Sequence, residues 1–162
     1  PNAGKSTFLN TVSSAKPKIA DYPFTTLRPH LGTIKYSDNS FVIADIPGII
    51  EGASDGHGLG IKFLKHISRT GILLFFLEAF SEISVQDQFL KLKKELGDFS
   101  EKLLEKEFYI VVTKIDLIDE ETRFKTLNTF NAKEFTNIFG ISSVTGEGVQ
   151  ELLDDISKKI FI

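Results

Sequence analysis

The chain has 162 residues, of which 41% are hydrophobic and 25% charged, and its formal net charge at pH 7 is −3. This composition fits one globular domain with a substantial core and excludes a disordered chain. The absence of cysteine excludes disulfides, thiolate metal ligands and a cysteine nucleophile, and the mild acidity argues against direct nucleic-acid binding by this segment.

Apolar runs of strand length alternate along the chain with longer helical patterns. The first half predicts a loop entering a helix (2–15), a proline-containing loop (16–31), two strands (32–36 and 40–46) joined by a turn, a glycine-rich loop (48–60) and a helix (59–67). The second half predicts a buried strand (72–80), a helix (86–106), a strand (108–112), a helix (120–133), a short strand (137–142) and a closing helix (149–160).

Two of these helices have a clear apolar face. The residues predicted to point inward are Phe89, Leu92, Leu96, Phe99, Leu103 and Leu104 in the first, and Val149, Leu152, Leu153, Ile156 and Ile160 in the second. Continuous apolar strands that alternate with helices predict an α/β fold with a mainly parallel sheet flanked by helices. Ligands bind such sheets beyond the carboxyl ends of the strands, so the loops at those ends are the candidate site.

The longest apolar run, residues 72–77, has the length of a strand and falls short of the roughly 20 residues that cross a bilayer. A lysine-containing loop stands at the start of the chain, where a signal peptide would have an apolar core. We therefore expect no membrane span and a cytoplasmic protein.

The start of the chain has the residues that end a Walker A phosphate loop, followed by an apolar helix: Asn2, Ala3, Gly4, Lys5, Ser6 and Thr7. Successive backbone N–H groups at a helix N-terminus form a cradle for phosphate oxygens. In such a loop Lys5 reaches the β- and γ-phosphates, and the Ser6 hydroxyl coordinates Mg²⁺. A turn that merely caps a helix is the alternative, because the first glycine of the motif would precede Pro1.

Asp45-Ile46-Pro47-Gly48 follows a run of buried residues. A carboxylate at this place can hold Mg²⁺ through water, and the backbone N–H of Gly48 can donate to a γ-phosphate, so the loop would sense that phosphate. The tetrapeptide on its own is more often a plain turn. Its position after a strand, downstream of the phosphate loop, favours the nucleotide interpretation.

Two later loops have the residues of a guanine pocket. Asp116, in Lys114-Ile115-Asp116, can accept the N1–H and 2-amino hydrogens of guanine, which adenine lacks, and the Lys114 stem can lie across the base. The backbone N–H groups of the last loop, Ser142-Ser143-Val144, can bind the guanine carbonyl. Taken alone, the first loop is also typical of an exposed charge pair and the second of a helix cap. The ordered set of four loops, each after a strand, indicates a guanine-nucleotide site.

These four loops resemble the signatures of a translation-factor-class GTPase, and residues 13–27, 49–53 and 58–60 resemble the G domain of the Obg family. The resemblance covers essentially the whole chain. It implies that residues 1–162 form one Obg-type G domain with a P-loop fold that binds GTP or GDP with Mg²⁺. The strand before the phosphate loop is not in the sequence, so we expect an N-terminally truncated domain that lacks its first strand.

The resemblance also assigns roles to the two switch loops. Thr26 matches the switch threonine that ligates Mg²⁺ in the GTP state, so Ser6, Thr26 and Asp45 (through water) would hold the metal. The first switch would run from Phe24 to Arg28 and so include Thr25 and Thr26, and the second would run from Asp45 to about Gly60. Lys5, Thr26 and Gly48 would then be the catalytic groups.

Residues at three positions affect the hydrolysis rate, the ion requirement or the guanine affinity that we expect. Ile49 stands where Ras-like proteins have a water-orienting glutamine, which implies slow intrinsic hydrolysis. Asn2 matches an asparagine that holds a potassium ion in some relatives, and such an ion could offset transition-state charge. Thr113 replaces the family's asparagine, so we expect guanine affinity to fall by about 0.5–1.5 kcal/mol while Asp116 still selects the base.

The resemblance implies a Mg²⁺-dependent GTPase switch in assembly of the large ribosomal subunit, contacting the ribosome through domains outside this chain. An alternative is a module that senses GDP and GTP with negligible hydrolysis, which Ile49 and Thr113 suggest. An ATPase is disfavoured because Asp116 recognises hydrogens that adenine does not have.

Overall fold

The computed structural model describes residues 3–21, 28–45, 69–130 and 133–162. These residues fall into two units. The antiparallel-sheet unit consists of the described residues within Lys5–Gly71 and Leu92–Lys106. The parallel-sheet unit consists of those within Pro1–Gly4, Ile72–Lys91 and Glu107–Ile162. The predicted glycine-rich loop at 48–60 and the predicted helix at 59–67 lie outside the described residues.

The antiparallel-sheet unit begins with a helix and continues into three strands: α1 (Lys5–Val12), β1 (Lys18–Ile19), β2 (His30–Tyr36) and β3 (Asn39–Asp45). β2 pairs with β3 from Tyr36 opposite Asn39 to His30 opposite Asp45, which confirms the predicted hairpin. A two-residue turn joins the strands, and Ser37 adopts the positive φ of 51° that such a turn requires.

The prediction of a loop over residues 16–31 is wrong in two places, because a short strand forms near its start and β2 already begins at His30. Lys18 and Ile19 form the short edge strand β1, because their backbone pairs antiparallel with Leu31 and His30 of β2. The Ala20 N–H extends this pairing by donating to the Pro29 carbonyl at 2.8 Å.

The core of this unit lies between α1 and the hairpin. Phe8 and Leu9 of α1 are buried, as are Ile34 of β2 and Phe41 of β3. Burial alternates along β2, as expected for a strand with one face covered by a helix. The packing fixes the start of α1 and the end of β3, which both carry predicted site residues.

The parallel-sheet unit contains three strands and two whole helices, with a third helix beginning in it: β4 (Ile72–Glu78), α2 (Val85–Phe99), β5 (Glu107–Thr113), α3 (Glu120–Leu127), β6 (Ile138–Gly140) and α4 (Val149–Ile160). The strands run parallel in the order β4-β5-β6. Residues 109–112 of β5 are fully buried, as expected for a central strand covered on both faces. The predicted α/β fold with a parallel sheet and flanking helices is confirmed.

Several predicted element ends are wrong. α2 ends at Phe99 and a short 3-10 turn, Glu101–Glu105, follows it. α3 ends at Leu127 and not at residue 133, and the side chain of its C-cap residue, Asn128, donates to the Phe124 carbonyl. β4 ends at Glu78, where the Gln88 amide pairs with the N–H and the carbonyl of that residue.

The predicted inward faces are mostly buried. Phe89, Leu96 and Leu103 are buried, Leu92 is half-buried, and the side chain of Phe99 lies outside the described part of the structure. Leu104 is 36% exposed and Ile160 is 41% exposed, so these two predictions are wrong. α4 has the predicted bounds, and its buried face includes Val149, Leu152, Leu153 and Ile156.

Aromatic rings fill the space between α2 and β5 in the parallel-sheet unit. Phe89 lies within 5.3–5.8 Å, centroid to centroid, of Phe75, Phe108, Phe130 and Phe135. Most of these pairs meet edge to face, the geometry that aromatic quadrupoles prefer. Within the described ranges, no helix has both the length and the hydrophobicity that crossing a membrane requires.

Candidate nucleotide-binding site

The antiparallel-sheet unit brings together Lys5, Ser6 and Asp45, which we call the phosphate cluster. Lys5 and Ser6 open α1, and Asp45 is the last residue of β3. The Lys5 Nζ lies 3.4 Å from Asp45 Oδ1, and the Ser6 hydroxyl donates to Asp45 Oδ2 at 3.3 Å. Asp45 is only 8% exposed, so its carboxylate depends on these two partners for compensation of its charge.

The phosphate cluster has the donor chemistry of a magnesium site. Mg²⁺ prefers hard oxygen ligands and is commonly held by one or two protein oxygens together with water and substrate phosphates. Ser6 and Asp45 supply such oxygens within hydrogen-bonding distance of each other, and the buried Asp45 Oδ1 accepts no hydrogen bond from the described residues. The residues present therefore fit the ion. Within the same residues, no three His, Cys, Asp or Glu side chains group closely enough to hold a metal by themselves.

The first residues of the phosphate loop contact the end of β5 inside the parallel-sheet unit. Gly4 has a φ of +86°, which L-residues with a side chain rarely adopt. The Thr113 hydroxyl donates to the Ala3 carbonyl at 2.6 Å and lies 3.3 Å from the Leu77 carbonyl. Thr113 is 3% exposed, so this buried hydroxyl is satisfied by the loop backbone. Thr113 thus links the end of β5 to the phosphate loop.

Residues 113–116 form what we call the first base loop. Lys114 adopts the left-handed conformation, with φ 59° and ψ 35°, and a 3-10 turn over Ile115–Leu117 follows it. This turn leaves the Asp116 side chain exposed to solvent, as a carboxylate must be to accept hydrogen bonds from a base. The Lys114 Nζ forms an ion pair with Glu78 Oε1 at 2.7 Å.

Residues 142–147 form what we call the second base loop. Ser142 is buried, and its Oγ accepts from the Thr145 N–H at 3.1 Å. Its own N–H donates to the Glu147 carbonyl at 2.9 Å. Ser142 therefore stabilises a turn, and Gly148 is the residue that caps α4. Ser143 is half-buried and Val144 is exposed, so this stretch of backbone faces solvent.

A backbone hydrogen bond joins the first base loop to the residue just before the second, since the Ile115 N–H donates to the Ile141 carbonyl at 3.3 Å. Thr7 is exposed on α1, and its carbonyl accepts from the Thr11 hydroxyl. The other predicted site residues lie outside the described residues: Asn2, Phe24, Thr25, Thr26 and Gly48.

Sequence reasoning missed two residues that contact the base loops, Glu78 and Arg123, and the role of Glu147 within the second base loop. Glu78 pairs with Lys114, while Arg123 contacts both Ile115 and Glu147. These partners are far apart in the chain and belong to no recognisable motif, so only the tertiary structure shows them.

The fold and these loops are those of a P-loop GTPase domain. The family model described as 50S ribosome-binding GTPase matches residues 1–114. The chain belongs to this family, which confirms the predicted class of enzyme.

The relatives confirm the resemblance to Obg. The chain is 52% identical over 155 residues to GTPase Obg of Chloroherpeton thalassium, covering 95% of this chain and 45% of the relative. It is 48% identical over 161 residues to GTPase Obg of Pelodictyon phaeoclathratiforme, covering 99% of this chain and 46% of the relative. The chain thus spans about half the length of the curated relatives it matches.

Solved structures agree on the fold. The G domain of the T. maritima FeoB iron transporter superposes with a TM-score of 0.64 at 21% identity, covering 98% of this chain and 92% of that chain. At this level of identity, the likeness shows the fold alone.

Proposed function

We propose that residues 1–162 form the G domain of a GTPase switch that binds a guanine nucleotide with Mg²⁺ and hydrolyses GTP slowly. The phosphate cluster is the observation that carries this proposal, because it places an amine at 3.4 Å and a hydroxyl at 3.3 Å from the oxygens of one buried carboxylate. Family membership and the solvent-facing base loops support the same function.

The phosphate loop would bind the phosphates through the backbone N–H groups of residues 2–7 at the start of α1. Lys5 would leave Asp45 and stabilise negative charge on the β- and γ-phosphate oxygens as the γ-phosphoryl group is transferred to water. The Ser6 hydroxyl and, through water, Asp45 would hold Mg²⁺, which would supply positive charge to offset that of the phosphates. Thr26, as a ligand of the metal, and Gly48, through its backbone N–H and the γ-phosphate, would complete the proposed catalytic set.

The base loops would recognise guanine. Asp116 would accept the N1–H and 2-amino hydrogens, and the backbone N–H groups of residues 143 and 144 would donate to the carbonyl oxygen, since that of Ser142 already donates to the Glu147 carbonyl. The Lys114 stem would lie across the ring. Thr113 would hold the phosphate loop through Ala3 and leave the purine without the amide contact that asparagine provides.

Two positions bear on turnover. Ile49 has no polar group that could orient water, so another group must stabilise the transition state. We propose that a potassium ion beside Asn2 has this role. GTP turnover at equal ionic strength should be faster in potassium than in sodium, and equal rates would refute the ion's role without affecting nucleotide binding.

The partner we propose is the large ribosomal subunit during its assembly, in the cytoplasm. The family description supports this partner, since it names 50S ribosome binding. The contacts would involve parts of the protein beyond this domain.

The test of nucleotide binding uses the full-length protein with Mg²⁺. We expect GDP to bind far more tightly than ADP, and Asp116→Asn to bind GDP weakly and xanthosine diphosphate better. The base preference should change because the amide of asparagine can donate a hydrogen bond to the 2-carbonyl of xanthine, whereas the carboxylate of aspartate can only accept one. Asp98→Asn, a change of the same kind at an exposed position on α2, should leave GDP binding unchanged. Equal affinity for GDP and ADP would overturn the proposal.

The second candidate is a sensing module that binds GDP and GTP and barely hydrolyses GTP, and the residue at position 49 favours it. Single-turnover hydrolysis with and without 50S subunits separates the two functions. Product formation that the subunits accelerate supports the switch, whereas nucleotide binding without product in either condition supports the module.

A further inference from the structure

Arg123 contacts both base loops from a third element of the fold. It is the fourth residue of α3, and its side chain is largely buried. Nη2 donates to the Ile115 carbonyl at 3.1 Å, and Nη1 pairs with Glu147 Oε1 at 2.5 Å. One guanidinium therefore binds the first base loop with one arm and the second base loop with the other.

Each contact lies next to a group proposed for base recognition. Ile115 immediately precedes Asp116 in the same 3-10 turn. Glu147 accepts the Ser142 N–H at its own carbonyl, so the residue that pairs with Arg123 also holds the start of the second base loop. Movement of either contact would change the separation between the Asp116 carboxylate and the backbone N–H groups of residues 143 and 144.

The helix that carries Arg123 is firmly capped. Asp119 is the N-cap of α3, and its side chain accepts the Thr122 N–H at 2.7 Å. Arginine suits a bridge between two acceptors because its planar fork presents several N–H donors in fixed directions, whereas the lysine ammonium is a flexible point charge.

We propose that Arg123 is a positioning residue for guanine recognition, which sets the spacing of the two base loops without touching the nucleotide. This inference rests on the guanine-binding function proposed above. It makes Arg123 and Glu147 one functional pair within the parallel-sheet unit. It also predicts that loss of the pair weakens recognition of the base and leaves chemistry at the phosphates intact.

The test compares Arg123→Gln and Arg123→Lys with Lys125→Gln in the full-length protein. Lys125 is the matched control, because it forms an exposed ion pair with Glu121 on the same helix, away from both base loops. The readouts are the dissociation constants of GDP and of inosine diphosphate, which lacks the 2-amino group, and kcat at saturating GTP.

We expect Arg123→Gln to weaken GDP binding by about tenfold, the loss that accompanies removal of a hydrogen bond to a charged group. The preference for GDP over inosine diphosphate should shrink, kcat should stay unchanged, Arg123→Lys should be intermediate and Lys125→Gln should match the wild type. Glu147→Gln should reproduce the loss, and because Glu147 is exposed it also carries the test if the Arg123 variants fail to fold.

Unchanged GDP affinity in Arg123→Gln and Glu147→Gln would overturn the positioning role. So would equal losses for GDP and inosine diphosphate with a lowered melting temperature, since that pattern indicates a purely structural role. A wild-type protein that binds no GDP would instead refute the proposed function itself, so the two failures are distinguishable.

Discussion

The hydroxyl of Thr113 connects the end of β5 to the phosphate loop through the carbonyl of Ala3. Thr113→Val keeps the shape of the side chain and removes this donor, so GDP affinity should fall by about 0.5–1.5 kcal/mol. Thr113→Asn should raise GDP affinity by a similar amount, because an amide could serve both the loop and the purine. Isothermal titration with GDP measures both changes.

Thr113→Ser is the matched control for the hydroxyl, because it keeps the donor and removes only a methyl group. It should bind GDP nearly as the wild type does. If Thr113→Asn leaves GDP affinity unchanged, the explanation of weakened binding at this position is wrong.

The sequence could predict site residues only where chemistry and spacing lie in one short stretch. Lys5 and Ser6 were candidates because they belong to one short motif, and Asp45 because it ends an apolar strand, and the structure brings these three side chains together. Arg123 and Glu147 were not identifiable, because they meet only after α3 and the second base loop have folded against each other. Arginine and glutamate are common residue types, and two of them at distant positions form no recognisable motif in a single sequence.

At the scale of elements, the start of α4 depends on a glycine that no other residue can replace easily. Gly148 has a φ of +73°, and a Cβ there would lie 2.1 Å from the Gly140 carbonyl oxygen of β6. Gly148→Ala should therefore incur the left-handed backbone cost of about 1–2 kcal/mol and a further 1–3 kcal/mol, roughly, from the steric clash. Urea unfolding measures the loss.

Gly146 provides the control for that prediction. Its φ is +84°, and a Cβ there would meet nothing within 4 Å, so Gly146→Ala should incur the backbone cost alone. Equal losses of stability in the two variants would mean that the close approach of β6 has no energetic consequence.

The contact between β5 and α4 gives stability a specific dependence on pH. The Tyr109 hydroxyl donates to Asp155 Oδ2 at 2.5 Å. Burial, and then this hydrogen bond, raise the pKa of Tyr109 above its ordinary value of 10.0. The native state thus holds the phenol proton more tightly than the unfolded state, so this stabilisation is complete below about pH 10 and declines as the pH rises further.

Tyr109→Phe isolates that contribution. The variant should lose about 0.5–1.5 kcal/mol at pH 8, where the phenol of the wild type is protonated. Above pH 10 the difference between wild type and variant should shrink, because only the wild type loses this contribution on ionisation. Unfolding free energies at pH 8 and pH 10.5 provide the comparison, and a constant difference would contradict the assignment.

Elements were predictable where periodicity extends over several turns or a whole strand. α4 and β5 have continuous apolar patterns, and both appear close to their predicted bounds. β1 was missed because two residues carry no periodicity, and only pairing with β2 defines it. The end of β4 was misplaced because the strand-like pattern continues to Phe80, whereas regular pairing with β5 ends at Glu78 opposite Thr113.

At the scale of the whole chain, the sequence predicted one mainly parallel sheet, and the described residues form two separate three-stranded sheets, of which one is parallel. The hairpin β2–β3 was predicted correctly, but apolar patterning did not show that it forms a sheet with β1 instead of joining the parallel strands. The predicted site residues are likewise divided, with the phosphate cluster in one unit and the base loops in the other.

This division predicts that the phosphates and the base of a nucleotide each protect a different part of the chain. Pyrophosphate with Mg²⁺ should slow amide hydrogen exchange in residues 4–8 and leave the base loops unaffected, whereas guanosine should slow exchange in the base loops alone. GDP should protect both sets, and at 100 times its dissociation constant it should stabilise the protein by about 2.7 kcal/mol. Adenosine is the control for guanosine and should protect neither set. Guanosine that protects residues 4–8 but not the base loops would show that the base is bound elsewhere.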